Sequence, residues 1–153
     1  MASSHTTILE QLAAARTLLF RVAGSTYGCD IDAVREIIPY RPATRLPGAP
    51  PYVQGLINLR GTIVTVIDLG ARLDKTRPQV REANGSIILA EHGSRVVGVA
   101  VDEVMDVQAI TEEPVDVGTG DTRGGLVRGL GHLEGDQVVV LIDIHTLVTQ
   151  VLL

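Results

Sequence analysis

A repeat within the chain constrains its fold more than any other feature of the sequence. The segment GLINLRG at 55–61 is similar to GLGHLEG at 129–135, with glycines, leucines and a central polar break in corresponding places. The segments that follow also correspond, since VTVIDL at 64–69 is answered by VVLIDI at 139–144. A duplicated unit of this size predicts two similar substructures in the folded protein.

A second pair of segments extends the repeat toward the N-terminus. The segment YGCDIDAVREI at 27–37 corresponds to VGVAVDEVMDV at 97–107, with Glu36 opposite Asp106. The same order of segments therefore occurs twice along the chain, and duplication explains this order better than a chance alignment.

Both halves have the composition and spacing of strands. The apolar runs LLFRV at 18–22 and IILA at 87–90 each lead into a turn that contains glycine. β-branched residues and short turn spacing are typical of all-β folds, and closure into a barrel leaves few exposed edges. We therefore predict an all-β fold of two pseudo-symmetric, five-stranded SH3-like barrels. The first barrel covers about 17–73 and the second about 86–147, each closed by neighbouring segments, with a polar linker at 74–85.

Two aspartates at corresponding strand ends predict short helices. Asp68 and Asp143 each follow an apolar strand and precede a leucine-rich turn. An aspartate in that place accepts hydrogen bonds from the first free amides of a helix. Another short helix is predicted in the N-terminal extension, 1–16, because residues 7–10 fit a capping box.

The overall composition argues against several classes of protein. A formal net charge of -5, with 3% aromatic residues and no tryptophan, argues against a nucleic-acid binder, which needs a basic face and stacking aromatics. The chain has no apolar stretch of the roughly 18 residues that span a bilayer, and its first residues lack the basic start of a signal peptide. Cys29 is the only cysteine, so it forms no internal disulfide and is interpreted as a small buried hydrophobe. These features predict a soluble cytoplasmic protein.

The acidic and glycine-rich segments carry no catalytic motif. Asp68 and Asp143 invite comparison with an aspartic-protease dyad, but neither precedes the hydroxyl residue and glycine that such sites carry, so helix capping is the better interpretation. The glycine-rich segment at 118–125 lacks the Lys-Ser/Thr ending of a phosphate-binding loop and is interpreted as a loop. These patterns favour a binding module over an enzyme.

The four histidines do not form a recognisable metal-binding motif. None of His5, His92, His132 and His145 is paired with another at the spacing of metal ligands. His92 and His132 fall in predicted turns and are expected to be solvated. We therefore predict no metal, no cofactor and no catalytic residue.

One long segment of the first half resembles a known family. The sequence YVQGLINLRGTIVTVIDL at 52–69 resembles the signature of CheW-like domains, the coupling proteins of bacterial chemosensory arrays. Further correspondences at 27–38, 97–107 and 125–147 extend the resemblance to about 17–147, which is predicted to form one CheW-like domain. The Asn-Leu-Arg-Gly turn within this strand pattern is the specific part of the match.

The resemblance implies an adaptor without catalytic activity. Members of the family bridge the cytoplasmic tip of a methyl-accepting chemoreceptor and the regulatory domain of a CheA-type histidine autokinase. Receptors use the groove between the barrels and the kinase uses barrel ends, so the protein is expected to reach membrane receptor arrays only through its partners. The alternative is a CheW-like regulator of a kinase in a pilus-motility or non-motility pathway.

The resemblance also implies a set of candidate contact residues. Glu36 and Arg60 match a family pair implicated in adaptor function, and we hypothesise that they form a charge pair beside the groove. Kinase contacts are expected near the strand ends at Gly55 and Gly129. The full set of candidate receptor contacts is Glu36, Arg60, Asn58, Leu18, Ile31, Val34, Ile37 and Val101.

The repeat bears on why a cation stands at the first bend. The second copy carries Glu134 where the first carries Arg60, so the bend itself requires a polar residue and glycine rather than a positive charge. Partner recognition is therefore the preferred explanation of Arg60. The rival readings are a small nucleic-acid-binding barrel and a hydrolase that uses Asp68 and Asp143.

Overall fold

Strands dominate the computed structural model, which describes residues 16–74, 85–114 and 125–152. The predicted N-terminal helix, the linker and the glycine-rich loop lie almost wholly outside these residues. The strands are β1 Arg16–Val22, β2 Ser25–Asp30, β3 Val34–Pro39, β4 Val53–Leu59, β5 Thr62–Asp68, β6 Ser86–His92, β7 Arg95–Val101, β8 Glu103–Ala109, β9 Thr111–Pro114, β10 Val127–His132 and β11 Val138–Ile142. The α-helices are α1 Leu69–Asp74 and α2 Ile144–Leu152.

Two sheets with the same internal order contain all of these strands. The six-stranded sheet has the order β8-β1-β2-β11-β10-β9, and the five-stranded sheet has the order β3-β6-β7-β5-β4. Strands that correspond in the repeat take corresponding places, and each sheet contains one parallel pair, β2 with β11 or β5 with β7. The predicted all-β, duplicated architecture is confirmed.

The two sheets do not coincide with the two sequence halves. The six-stranded sheet joins the first hairpin of the chain, β1–β2, to the last four strands, and the five-stranded sheet joins β3–β5 to the hairpin β6–β7. The predicted bounds of the barrels, 17–73 and 86–147, are therefore corrected: each sheet takes two of its strands from the other half of the chain. The physical reason is the parallel pairing, because it places the leading hairpin of each half beside the last strand of the other half.

The strands β1 and β6 are buried on both faces, which explains their uninterrupted apolar runs. On β1, Leu18 and Phe20 enter a central core shared by both sheets, whereas Leu19 packs inside the six-stranded sheet. On β6, Ile88 enters the central core and Ile87 packs inside the five-stranded sheet. The central core therefore ties the two sheets together, and each sheet also has a smaller core of its own.

The helices begin where the two aspartates predict. The Asp68 Oδ1 atom accepts a hydrogen bond from the Ala71 amide at 3.1 Å, and the Asp143 Oδ1 atom accepts one from the Thr146 amide at 3.1 Å. Both capping predictions are confirmed. Among the described residues, no helix has the length and apolar character to cross a membrane.

Candidate functional site

The hairpin between β4 and β5 turns on two residues with left-handed backbone. Arg60 has φ of 50° and Gly61 has φ of 89°, and Leu59 pairs with Thr62 on either side of them. This is the pattern of a type I′ turn, which matches the twist of the flanking strands. The Asn58 Oδ1 atom accepts a hydrogen bond from the Gly61 amide at 2.8 Å. The side chain of Asn58 is therefore engaged in holding the turn.

Arg60 and Glu36 form the charge pair that we hypothesised from the family resemblance. The two terminal nitrogens of the guanidinium donate to the two carboxylate oxygens at 3.1 and 2.5 Å. The hydrogen bond from Arg60 is the main cause that lowers the pKa of Glu36 below its ordinary value, although partial desolvation opposes it. The same contact raises the pKa of Arg60, so both side chains remain charged near neutral pH.

This pair connects the two edge strands of the five-stranded sheet. Glu36 lies on β3 and Arg60 follows β4, and these strands stand at opposite ends of the sheet order. The segment between them also returns to the sheet, because Thr44 and Leu56 exchange two backbone hydrogen bonds of 2.8 Å. The charge pair therefore spans the opening between the edges and contributes to closing the barrel.

The second hairpin is built differently from the first. The pairing of His132 with Val138 leaves a longer loop, and within it the Leu133 amide donates to the Gln137 carbonyl at 2.8 Å. Positive φ values occur at Gly135 and Asp136 in this loop. The expected one-to-one equivalence of Glu134 and Arg60 is therefore corrected, because the two loops differ in length and in the position of their left-handed residues.

The counterpart of Glu36 also has different partners. Asp106 on β8 accepts hydrogen bonds from the Val107 amide at 2.7 Å and from Gln108 Nε2 at 3.4 Å. Both contacts lie within its own strand. The Glu36 carboxylate thus binds a distant arginine, whereas the corresponding Asp106 carboxylate binds neighbours in its own strand. The two barrels therefore present different surfaces at corresponding places.

A cleft of about 250 Å³ lies next to the Arg60–Glu36 pair. The charged side chains of Arg35, Glu36 and Arg60 stand around a lining that includes apolar residues of both sequence halves. Two guanidinium groups and one carboxylate give this cleft a net positive charge. It is suited to an apolar side chain that is accompanied by a carboxylate. The apolar lining residues are Leu59, Val64, Leu89 and Val96.

The other predicted receptor contacts differ in how far they reach the surface. Leu18 and Val101 are 1% and 0% exposed and belong to the central core, so their assignment as surface contacts is corrected. Ile31 and Val34 are partly buried and pack against that core. Ile37 is 39% exposed and is the apolar candidate that a partner reaches most readily.

The two glycines proposed near kinase contacts lie at β-bulges. The register of β4 shifts at Gly55, and the register of β10 shifts at Gly129. A Cβ atom on Gly55 would collide with the Thr44 carbonyl, and a Cβ atom on Gly129 would lie 2.7 Å from the Glu113 carbonyl oxygen. Both glycines are buried. They shape the strand ends by allowing close backbone approach and supply no side chain to a partner.

The remaining candidates for chemistry are engaged in structural contacts. Cys29 is buried, and burial, with a smaller effect of Asp30, raises the pKa of its thiol to about 12. The Asp68 Oδ2 atom accepts a hydrogen bond from Gln54 Nε2 at 3.3 Å in addition to capping α1. Within the described ranges, no group of three or more histidine, cysteine, aspartate or glutamate side chains is arranged to hold a metal ion.

Two features of the structure were not predicted from the sequence. Arg35 and the apolar cleft residues were not among the candidates, because the lining combines β3–β5 with β6 and β7 from the other half of the chain. The contact between His92 and His145 was also missed. Because the register of β3 shifts between Val34 and Glu36, simple strand alternation does not place Arg35 at the same cleft as Glu36, and no sequence pattern indicated it.

Comparisons with known proteins agree with this architecture. The model of the CheW-like domain family matches residues 16–152. Chemotaxis protein CheW of Rhizobium meliloti (strain 1021) is 37% identical over 134 residues, which cover 84% of this chain and 84% of that protein. Chemotaxis protein CheW of Klebsiella aerogenes is 36% identical over 135 residues, which cover 86% of this chain and 80% of that protein.

A solved structure extends the agreement to three dimensions. The crystal structure of scaffolding protein TtCheW from Thermoanaerobacter tengcongensis superposes with a TM-score of 0.76 and 31% sequence identity. The alignment covers 88% of this chain and 87% of that chain. Sequence and architecture therefore agree over nearly the same residues, and the chain belongs to the family of CheW-like domains.

Proposed function

We propose that the chain is a non-catalytic adaptor that couples chemoreceptors to a CheA-type histidine autokinase in a bacterial chemosensory array. The observation that carries this proposal is the exposed Arg60–Glu36 pair beside a cleft that is lined by both charged and apolar residues. Family membership supports it, since the relatives are chemotaxis and scaffolding proteins. In this role the chain works in the cytoplasm and reaches the membrane through its partners.

The geometry of the pair suits recognition better than stabilisation. The Arg60 side chain is 67% exposed and the Glu36 side chain is 34% exposed, and exposed ion pairs contribute little to folding stability. A guanidinium held by a bidentate partner keeps a fixed direction while its remaining donors face solvent. We infer that Arg60 contacts an acidic group of the partner and that Glu36 positions Arg60.

The proposed receptor surface also includes apolar residues of β3 and of the turn before it. The tip of a receptor is a helical hairpin, and a helix can lay an apolar stripe into a groove. Ile37 is the exposed apolar contact, and Ile31 and Val34 are partly exposed. Leu18 and Val101 act from the core against which Ile31 and Val34 pack.

The proposed kinase surface lies at the two bulged strand ends. Because Gly55 and Gly129 are buried, the contacts come from exposed neighbours. Thr44 lies against Gly55 and Glu113 lies against Gly129, and both neighbours are exposed. The two glycines contribute by allowing these segments to approach.

The proposal is tested by affinity capture from a lysate of the native cell, read by mass spectrometry. Wild-type protein is expected to recover a chemoreceptor and a histidine autokinase, and Arg60→Glu is expected to recover less of one or both. The matched control is Arg21→Glu, because Arg21 forms an exposed ion pair of 2.9 Å with Glu103 in the other sheet. Unchanged recovery by Arg60→Glu would contradict the assignment of Arg60.

A charge exchange separates recognition from barrel closure. The double variant Arg60→Glu/Glu36→Arg retains an opposite-charge pair between the hairpin and β3 but reverses its direction. If the pair only closes the barrel, this variant should bind the partner as wild type does. If the partner contacts Arg60 directly, binding should stay low. We expect the second result, with circular dichroism spectra of all variants matching wild type.

A further inference from the structure

A pair of histidines joins two elements that are distant in sequence. The Nδ1 atoms of His92 and His145 lie 2.7 Å apart, and the ring centroids lie 4.6 Å apart at an interplanar angle of 61°. His92 ends β6 and His145 is the second residue of α2. Both side chains are exposed, so solvent ions reach them directly.

The backbone beneath this pair is held in place by the core. On β6, Ile88 and Ala90 are buried in the central core, and on α2, Leu147 and Val148 are buried in the same core. The backbone positions of the two histidines are therefore fixed, so both imidazoles can bind one ligand without a backbone rearrangement.

We propose that His92 and His145 form a two-histidine binding site for a divalent transition-metal ion with tetragonal geometry, Cu²⁺ or Ni²⁺. Neutral imidazole is a good ligand for these ions. The short contact requires a proton on one of the two Nδ1 atoms. In a neutral ring this proton can move to Nε2 through solvent, which leaves both Nδ1 lone pairs for the metal without net loss of a proton.

The separation of the two nitrogens favours this class of ion over Zn²⁺. With metal–nitrogen bonds of about 2.0 Å, adjacent ligands of a tetragonal ion lie about 2.8 Å apart, whereas tetrahedral ligands lie about 3.3 Å apart. The observed 2.7 Å is close to the first value. Small ring rotations suffice to direct both lone pairs at one ion, and exposed rings make such rotations readily.

The remaining coordination positions belong to solvent. In the part of the chain that the structure describes, no third histidine, cysteine or carboxylate completes a cluster with this pair. Hard ions such as Mg²⁺ prefer oxygen ligands and are not expected to bind. Because Cu²⁺ exceeds Ni²⁺ in the usual order of affinities, we expect Cu²⁺ to bind the tighter of the two.

The site is tested by isothermal titration calorimetry with Cu²⁺, Ni²⁺, Zn²⁺ and Mg²⁺ salts at pH 7.5. We expect one Cu²⁺ and one Ni²⁺ ion per chain at this site, with Zn²⁺ weaker and Mg²⁺ silent. The variants His92→Ala and His145→Ala are each expected to weaken Cu²⁺ binding at least tenfold. The double variant reports the background from all other groups, and His132→Ala is the matched control because His132 contacts Glu113 instead.

Thermal unfolding gives a second, independent readout. An ion that binds the native state raises the melting temperature with its concentration, so Ni²⁺ should raise that of wild type and His132→Ala but not that of the double variant. Equal Cu²⁺ affinity in wild type and the double variant would overturn the proposal. Loss of binding in only one single variant would also overturn it, because that result describes a one-histidine site.

Discussion

Arg60 and Glu36 bridge two strands that are the edges of the same sheet. Their bidentate contact, at 3.1 and 2.5 Å, lies where β3 and the end of β4 face each other across the opening of the barrel. The contact has two consequences: it links the two edges of the sheet, and it fixes the direction of an exposed cation.

The pKa of Glu36 is expected to depend on Arg60. The hydrogen bond from Arg60 lowers this pKa below the ordinary value of 4.5, so Arg60→Gln should raise it toward that value. A group with a lowered folded pKa contributes stability that is complete above the unfolded pKa and is lost as pH falls through the folded pKa. The wild type should therefore lose this contribution below about pH 4.5. A carboxyl NMR titration of both proteins checks this, and identical Glu36 titration curves would contradict it.

The two capping aspartates should differ in their contribution to stability. Asp68 is fully buried and also accepts from Gln54, whereas Asp143 is only partly buried. We expect Asp68→Ala to cost about 2–3 kcal/mol of unfolding free energy, from a lost cap and a buried donor left unpaired. Asp143→Ala should cost about 1 kcal/mol. Urea unfolding measures both, and equal losses would argue against the buried contact at Asp68.

Burial separates a core role from a contact role among the apolar candidates. Leu18→Ala removes a fully buried side chain and should cost about 2–5 kcal/mol of unfolding free energy. Ile37→Ala removes an exposed side chain and should cost less than about 1 kcal/mol, while weakening binding to a receptor-tip fragment. Unfolding curves and binding titrations of both variants make the comparison. A receptor affinity unchanged by Ile37→Ala would remove Ile37 from the proposed surface.

Two glycines with positive φ should respond differently to alanine. Gly55 has φ of 144° and its Cβ would collide with the Thr44 backbone, whereas Gly93 has φ of 64° and open space around it. Gly93→Ala should cost about 1 kcal/mol for the left-handed backbone alone. Gly55→Ala should cost about 3 kcal/mol or more, because a strand or the neighbouring segment must move. Comparable melting temperatures for the two variants would contradict this view of the bulge.

Local sequence patterns predicted the features that depend on local contacts. The Asp68 and Asp143 caps, the turn at Arg60–Gly61 and the duplicated strands are each specified within a few residues, and the structure contains all of them. The exchange of hairpins between sheets could not be predicted in this way. It depends on parallel pairs such as β2 with β11, whose members are more than a hundred residues apart.

The errors among the candidate site residues have a similar origin. An apolar strand buried on both faces has the same sequence pattern as one that exposes a groove, so Leu18 could not be distinguished from a surface contact. The pairing of His92 with His145 joins residues 53 apart, and no spacing rule for metal ligands covers that distance. Glu36 and Arg60 are 24 residues apart, so no local pattern pairs them. They were identified because the family resemblance supplied the pair.

The exchange of leading hairpins makes each repeat incomplete by itself. The copy that contains β1–β5 lacks the second and third strands of the five-stranded sheet, and it receives them from the copy that contains β6–β11. The same relation holds in the opposite direction for β1 and β2. Two half-length chains that swapped their first hairpins would produce this arrangement as a homodimer. In topological terms the protein is such a swapped dimer joined into one polypeptide, and neither copy contains all the strands of one sheet.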